Sequence, residues 1–360
     1  MADVFYVASR KGLFTYKRNG SGWETGKPDF LGEPVSAVLK DNRDGALYAA
    51  LNLGHFGCKL HRSDDDGATW KELTPPAFAK ADDGDEKAPS LDLIWTLEPG
   101  GNDEPGVIWA GTIPGALFKS EDRGENWKLI ESLWDRPERD GWFGGGYDKP
   151  GIHSVLVDPR DSKKLTLGIS CGGIWKSDDG GAEWRLTGKG LRSDYTPPEQ
   201  SEELNTQDPH RLAMCLSDPD TIWCQHHNGV FLSRDAGDTF TEIRDIPPAV
   251  FGFAVASHPK DADTVWLVPG IKDEYRVPVD AKLLVNKTTD GAKSFSAKTG
   301  GLPSEPSYDL IFRHALDVDE TGERLVMGST TGNLWASGDG GENWTLLSAH
   351  LPPVAAVRYG

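Results

Sequence analysis

Several features that define other protein classes are missing from this sequence. Its 360 residues include four cysteines, at positions 58, 171, 215 and 224, without a Cys-x-x-Cys pair, which indicates reduced thiols in a cytoplasmic protein. No segment approaches the ~20 apolar residues of a membrane span, and the first residues lack the basic and apolar stretches of a signal peptide. No stretch has a sustained helical period, so the sequence predicts an all-β protein.

The charge balance excludes further classes. A net charge of −18 argues against a general nucleic-acid or membrane surface, and we expect neither partner. It is compatible with a small acidic ligand, because a local cluster of Arg and His can reverse the sign of the potential inside a pocket. The acidic run from Asp82 to Glu86 is interpreted as a solvated loop.

What the sequence does contain is a repeated octapeptide, Ser-x-Asp-x-Gly-x-x-Trp/Phe. The gaps between its first four copies are 57, 57 and 56 residues, and the last gap is 104, or about two periods, which predicts a hidden copy at 288–295. A degenerate copy occupies 16–23. Seven positions in 360 residues give units of about 51 residues, the size of a four-stranded propeller blade. The intact copies begin at Ser63, Ser120, Ser177, Ser233 and Ser337.

The sequence therefore predicts a seven-bladed β-propeller that forms a single domain, 1–360. The first period lacks a first strand, whereas 354–359 looks like a first strand alone, so one blade is expected to contain both ends of the chain and to close the ring. The predicted blades are 1–31 with 354–360, 32–76, 90–133, 151–189, 209–246, 250–302 and 308–352.

The octapeptide itself is expected to be structural. Its Asp can accept hydrogen bonds from the N–H groups of a tight turn between the third and fourth strands, and its Gly permits positive φ. This prediction covers Asp65, Asp122, Asp179, Asp235 and Asp339. In this frame the chain resembles the Asp-box (bacterial neuraminidase repeat) proteins, which include sialidases, xyloglucanases, sortilin-type receptors and the photosystem II assembly factor. The resemblance implies that the octapeptides lie away from the active face.

Other segments narrow the resemblance. The stretches 133–137, 144–146, 152–154 and 276–278 are similar to a group of bacterial Asp-box proteins classed with glycosyl hydrolases, and this resemblance implies a sialidase-like or glycosyl hydrolase-like function. Sialidase chemistry itself is not expected, because Thr112-Ile113-Pro114 lacks the arginine of the sialidase Phe/Tyr-Arg-Ile-Pro segment. Xyloglucanases place two acidic residues in a cleft between two propellers, whereas this chain is predicted to form one propeller.

The face opposite the octapeptides carries most candidate functional residues. It is built by the connections between second and third strands and between successive blades, and it holds six of the nine His residues. His153, His210 and His314 stand at equivalent places at the start of three first strands, so they are expected to converge near the axis as a divalent-metal donor set. The predicted catalytic residues are these three with Arg313 and Asp92. The predicted ligand-binding residues are Arg10, Trp95, Tyr147, Arg211, His227 and Arg276.

The sequence leaves the function between three alternatives. The first is a hydrolase-like enzyme that acts on a small polar, sugar-like or acidic ligand; the second is a metal-assisted polysaccharide or uronate lyase; the third is a non-catalytic scaffold. Histidine nitrogens that converge would favour a catalytic or metal site, and histidines capped by backbone carbonyls would favour the scaffold. Hydrolysis needs a carboxylate pair, which spacing alone does not identify. The candidates are Asp92, Asp148, Glu202, Asp208 and Asp309.

Overall fold

The computed structural model describes residues 2–79 and 89–360, so the acidic run from Asp82 to Glu86 lies outside it. Within this part the chain forms seven antiparallel sheets of four strands, and the predicted all-β propeller is confirmed. The strands are β1 Val4–Ser9, β2 Gly12–Asn19, β3 Gly22–Thr25, β4 Val35–Lys40, β5 Leu47–Asn52, β6 Cys58–Ser63, β7 Lys71–Leu73, β8 Leu93–Pro99, β9 Ile108–Ile113, β10 Leu117–Ser120, β11 Lys128–Leu129, β12 Gly151–Val157, β13 Leu165–Ser170, β14 Gly173–Ser177, β15 Arg185–Thr187, β16 Pro209–Cys215, β17 Asp218–His226, β18 Gly229–Ser233, β19 Thr241–Ile243, β20 Gly252–Ser257, β21 Val265–Pro269, β22 Val285–Thr288, β23 Ser296–Lys298, β24 Leu316–Val318, β25 Leu325–Gly328, β26 Leu334–Ser337, β27 Thr345–Ser348 and β28 Val354–Tyr359.

Helical structure is limited to short turns in the connections. One four-residue α-helix, α1, spans Glu131–Trp134, and the remaining turns are 3₁₀. No helix in the described residues is both long and apolar enough to cross a membrane. The 3₁₀ turns are Gly54–Phe56, Pro137–Gly141, Pro198–Gln200, Leu204–Thr206 and Val279–Ala281.

The ring closes through a blade that contains both ends of the chain, as the sequence predicts. In blade 1, β28 is the first strand and pairs antiparallel with β1, with Phe5 opposite Tyr359 and Val7 opposite Val357. The other blades run in chain order: β4–β7, β8–β11, β12–β15, β16–β19, β20–β23 and β24–β27. The first strands of neighbouring blades contact one another around the axis, where they form the inner edges of the seven sheets.

The octapeptides form the turns between third and fourth strands. In the copy at 177, Ser177 Oγ donates to Asp179 Oδ1 (2.8 Å), Gly181 N donates to Ser177 Oγ (2.8 Å), and Glu183 N donates to Asp179 Oδ1 (2.9 Å). The same bonds recur in the other intact copies and in the hidden copy at 288. Each turn thus satisfies its own carboxylate, and we call the surface that these turns share the turn face.

The core lies between the blades. Five tryptophans on second or third strands are almost fully buried, and each packs between neighbouring sheets: Trp109 of blade 3, for example, shares a cluster with Trp175 and Trp184 of blade 4. Large aromatic side chains bury much apolar area, so such clusters hold together sheets whose strands do not hydrogen-bond to each other. The fully buried set is Trp109, Trp175, Trp223, Trp266 and Trp335.

The first strands share a second repeated feature, a bulge near the end that faces away from the turn face. The register of β12 shifts between Ile152 and Ser154, and that of β16 between Pro209 and Arg211. The residues inside these bulges are His153 and His210, and Trp95 occupies the same place in β8. A bulge changes the direction of the side chain that it contains. The same local distortion therefore orients His153, His210 and Trp95, three residues that were predicted to be functional.

Candidate functional site

The predicted face contains a pocket with a volume of about 320 Å³, which we call the upper pocket. Its walls come from the connections of blades 3 to 7 and from the starts of first strands, and none come from the octapeptide turns. Sequence-distant groups therefore meet in one cavity. It is lined by Phe143, Gly145, Gly146, Cys171, Tyr195, Thr196, Pro197, Asp208, His210, His227, Phe253, Asp273, Arg276 and Arg313.

A glycine-rich segment forms one wall because it passes too close to its neighbours for a side chain. A Cβ added to Gly145 would lie 2.7 Å from Cys171 Sγ, and one added to Gly144 would lie 2.3 Å from the carbonyl oxygen of Tyr147. Gly146 faces the guanidinium of Arg313 at 3.9 Å from its built Cβ. Gly145 and Gly146 thus bring backbone against the pocket and leave its interior open.

Asp208 is the buried carboxylate of the pocket. Its Oδ1 accepts hydrogen bonds from Ser170 Oγ (3.0 Å) and Cys171 N (3.1 Å), and the residue is 3% exposed. Burial alone would raise the pKa of Asp208, but His210, His227 and Arg313 outweigh burial and hold that pKa well below its usual range. The group is therefore an ionised carboxylate at neutral pH.

Two histidines approach the free oxygen of Asp208. Oδ2 lies 3.3 Å from His210 Nε2 and 3.5 Å from His227 Nδ1. One donor atom from each of the three residues lies within 4.8 Å of the others, a spacing that could hold a metal ion. The pairing of Pro209 with His226 explains this proximity, because it sets the start of β16 beside the end of β17.

Neighbouring groups hold these histidines in place. His210 Nδ1 donates to the carbonyl oxygen of Gly252 (2.7 Å), and its ring stacks on Phe253. His226 is fully buried, accepts a bond at Nε2 from Asp208 N, and has its pKa lowered to about 3 by burial. Of the adjacent pair, only His227 therefore reaches the pocket, where it is partly exposed.

Arg313 is a buried cation for which the described residues provide no ion pair. It is 6% exposed, and its guanidinium lies over the rings of Trp95 (4.9 Å) and Phe253 (5.1 Å). Within the described residues it has no carboxylate at ion-pair distance, and its Nε has no hydrogen-bond partner. Burial lowers its pKa, Asp208 opposes that effect, and the nearby Arg276 adds to it.

Arg276 gives the pocket a second, more exposed cation. Its Nε donates to Asp273 Oδ1 (3.0 Å), and its guanidinium lies 5.3 Å from the centre of the Phe253 ring. The ring of Phe253 thus contacts both arginines of the pocket. By contrast, Cys171 is not a candidate nucleophile, because burial, together with the charge of Asp208, raises the pKa of its thiol.

The structure brings four of the eleven predicted site residues into the upper pocket: His210, His227, Arg276 and Arg313. Three others, Trp95, Arg211 and His314, line a cavity of about 30 Å³ in the central channel, which has room for little more than a water molecule. Arg211 Nη1 donates there to the carbonyl oxygen of His153 (3.1 Å).

His153 and His314 bond to main-chain carbonyls. His153 Nε2 donates to Pro209 O (2.7 Å), and His314 Nε2 donates to His153 O (2.7 Å). Both therefore link one blade to another, and the set of His153, His210 and His314 as metal ligands stays a prediction that this geometry does not favour. The residue that lies beside His210 is Asp208 and neither of these histidines.

The other three predicted residues lie outside the pocket lining. Asp92 is exposed and forms an ion pair with Lys149 (2.6 Å), and Arg10 is also exposed. The ring of Tyr147 packs edge-on against Trp95 and does not line the upper pocket. Asp208 was only one of five carboxylate candidates in the sequence. Asp208 stands two residues before His210, directly before β16 begins at Pro209, and that spacing is the sequence signal that would have singled it out.

Comparisons with known proteins relate the chain to others by fold. No family model matches it, and no curated protein matches its sequence. It superimposes on the GH74 xyloglucanase from Xanthomonas campestris with a TM-score of 0.65 and 17% identity, over 100% of this chain and 52% of that one. For an ancestral GH74 enzyme the values are 0.60 and 14%, over 87% of this chain and 38% of that one.

The chain therefore spans about half the length, or less, of these two glycoside hydrolases. A structure of YCF48 bound to D1 peptide is also similar, with a TM-score of 0.52 and 12% identity, over 88% of this chain and 82% of that one. At these identities the likeness establishes the propeller fold that they share. It leaves the activity to be argued from the site.

Proposed function

We propose that the upper pocket binds a small organic anion, a sugar-like acid that carries a carboxylate, and that the protein is a hydrolase-like enzyme acting on it. The observation that carries this proposal is Arg313, a buried guanidinium without an ion pair in the described residues, beside the open space of the pocket. The Asp-box assignment of the turns and a cytoplasmic location belong to the same proposal.

An unpaired buried cation is costly, and proteins normally supply such a group with a partner. A carboxylate matches the fork of an arginine and can accept two parallel hydrogen bonds from it. Arg276, held by Asp273, would add attraction at the entrance. The volume of about 320 Å³ is at the low end for ligand pockets, which favours a small molecule over a polymer chain.

The remaining groups in the pocket supply reactivity. Asp208 is ionised, so it cannot act as a general acid in the resting state, but it can orient His210 and His227. His227 is partly exposed to the pocket and is the residue best placed to transfer a proton to or from a ligand. The neighbouring GH74 folds support hydrolysis; elimination beside a carboxylate is the alternative reaction.

Thermal unfolding with matched sugars tests this proposal. We expect glucuronate or galacturonate to raise the melting temperature, and glucose and galactose, which lack the carboxylate, to leave it unchanged. Uronate glycosides would then be assayed for reducing sugar, the product of hydrolysis, and for unsaturated uronate, the product of elimination. Equal effects of acid and neutral sugars, or no effect of either, would contradict the proposal.

A binding-only role is the second candidate, and one observation favours it. In the described residues, every strongly exposed aromatic side chain lies in a connection on the pocket side of the ring. Such residues are enriched where proteins bind partners, and one similar propeller was solved with a peptide. Binding of uronates without turnover of any glycoside would support this role. The residues are Phe56, Phe143, Tyr147, Tyr195, Tyr275 and Tyr308.

A further inference from the structure

The free oxygen of Asp208 and the Nε2 atom of His210 face each other at 3.3 Å on the wall of the upper pocket. The carbonyl oxygen of Gly252 can only accept a hydrogen bond, so His210 Nδ1 must carry a proton. In a neutral ring Nε2 then has a lone pair, and this atom lies 3.3 Å from Asp208 Oδ2. That nitrogen and the carboxylate oxygen are therefore placed so that both can bind one cation.

We propose that Asp208, His210 and His227 bind a divalent transition-metal ion on the wall of the upper pocket. The inference deepens the proposed function, in which the same wall faces the ligand. The three donors are two imidazoles and one carboxylate, which suit Zn²⁺ or Mn²⁺ better than Mg²⁺ or Ca²⁺, because the latter prefer all-oxygen sites.

The distances fit such an ion. Ligand atoms about 2.0–2.2 Å from a common metal are separated by roughly 3.0–3.6 Å in four- to six-coordinate geometry. The separations of Asp208 Oδ2 from His210 Nε2 and His227 Nδ1 are 3.3 and 3.5 Å. The third separation is no more than 4.8 Å, and His227, which is partly exposed, can rotate to close it.

Outer hydrogen bonds orient two of the three proposed ligands, as they do in other metal sites. His210 is oriented by Gly252 O, and Asp208 is oriented through Oδ1 by Ser170 Oγ and Cys171 N, so that Oδ2 is left free. Such outer partners fix the tautomer and direction of metal ligands. With three protein ligands, the remaining coordination positions would face the pocket, where a ligand carboxylate or a water molecule can occupy them.

Titration calorimetry with Zn²⁺ alone, after chelator treatment and without any organic anion, tests this inference. The parent protein should bind one ion, and Mg²⁺ at the same concentration should not compete. Asp208→Asn keeps an acceptor for Ser170, and His227→Gln changes a partly exposed side chain, so both variants are expected to fold. Each should bind Zn²⁺ at least about 100-fold more weakly, since even outer-partner changes cost 10- to 100-fold.

The controls are Asp92→Asn and His55→Gln, which make the same chemical changes at exposed positions and should bind as the parent does. Cobalt(II) gives an independent readout, because its visible spectrum should appear in the parent and controls and be lost in the two site variants. No stoichiometric binding by the parent, or parent-like binding by Asp208→Asn and His227→Gln, would overturn the site. Arg313→Met should keep the metal and lose the organic anion, so the two proposals can fail separately.

Discussion

Asp179 and Asp208 are both aspartates at the ends of strands in neighbouring blades, yet their surroundings differ in kind. The carboxylate of Asp179 accepts every one of its bonds from its own turn, from Ser177, Ala182 and Glu183. Asp208 is held by Ser170 and Cys171 of the preceding blade and keeps one oxygen towards two histidines.

The contrast between Asp179 and Asp208 shows how a structural carboxylate can be distinguished from a functional one in a repeat fold. A group whose partners all lie within a few residues stabilises that turn, and it can be repeated around the ring without cost to function. A carboxylate whose partners come from several blades, and whose hydrogen-bonding capacity those partners leave incomplete, is not repeated from blade to blade. Arg313, which the described residues leave unpaired, extends the same contrast to cations.

The largest effect is expected for Arg313→Met. Loss of the guanidinium should weaken binding of an organic anion on the order of 100-fold, because hydrogen bonds to charged groups contribute roughly 1.5–3 kcal/mol each. The melting temperature should stay the same or rise, since the variant removes a buried charge that has no ion pair among residues 2–79 and 89–360. Calorimetric titration and thermal unfolding measure the two quantities.

The matched control is Arg160→Met on the turn face, where Arg160 is paired with Asp158 and Asp220. It should leave anion binding unchanged and slightly lower stability. A loss of anion binding in Arg160→Met, or a strongly destabilised Arg313→Met, would contradict the assignment of a structural role to Arg160 and a binding role to Arg313.

The next largest effect concerns the pH dependence of stability and comes from the two buried histidines His153 and His314. Burial holds the pKa of His314 well below its usual value, with Arg211, Arg313 and Arg358 acting in the same direction. The pKa of His153 is lowered by burial and by Arg313, His314 and Arg211, with Asp208 opposing. The unfolded chain, with histidine pKa values near 6.5, therefore binds protons below that pH that the folded chain does not.

Stability should accordingly be greatest above pH ~6.5 and fall as the pH decreases, by about 1.4 kcal/mol per pH unit for each such histidine. Urea unfolding between pH 5 and 7 measures this slope. His314→Gln can still donate to His153 O and should reduce the slope by one histidine's share, whereas the exposed His350→Gln should not. An unchanged slope in His314→Gln would mean that the buried ring is not the neutral group described.

A smaller effect is expected for Asp235→Ala on the turn face. The change removes an acceptor for Ser233, Thr239 N and Thr239 Oγ1. These bonds are partly solvated, so the free energy of unfolding should fall by only about 1 kcal/mol. Anion and metal binding should match the parent in calorimetry, and any loss of either would contradict a purely structural role for the turn.

The smallest effect is expected for Asp92→Asn. Asp92 lies outside the lining of the upper pocket, and its exposed ion pair with Lys149 should contribute between about 0 and 1 kcal/mol to stability. Ligand affinity should change less than twofold. A large loss of activity would restore Asp92 as the catalytic carboxylate that the sequence first suggested.

The fold was predictable because its signal repeats. The octapeptide spacing indicates seven blades, and the missing first strand before Val4 indicates closure by the C-terminal strand, as β28 confirms. The site was less predictable because it occurs once. The face was identifiable from its His and Arg content, but the local bulge at His210 and the pairing of Pro209 with His226, which select Asp208, depend on register.

A crystal structure of the protein with the uronate that most raises its melting temperature would show directly whether the Arg313 guanidinium binds the carboxylate of the ligand. We expect a carboxylate oxygen of that ligand within hydrogen-bond distance of the Arg313 guanidinium, with the sugar ring turned towards Asp208 and His227. A ligand bound on the turn face, or an Arg313 already paired with a protein carboxylate and not contacted by the ligand, would contradict the account.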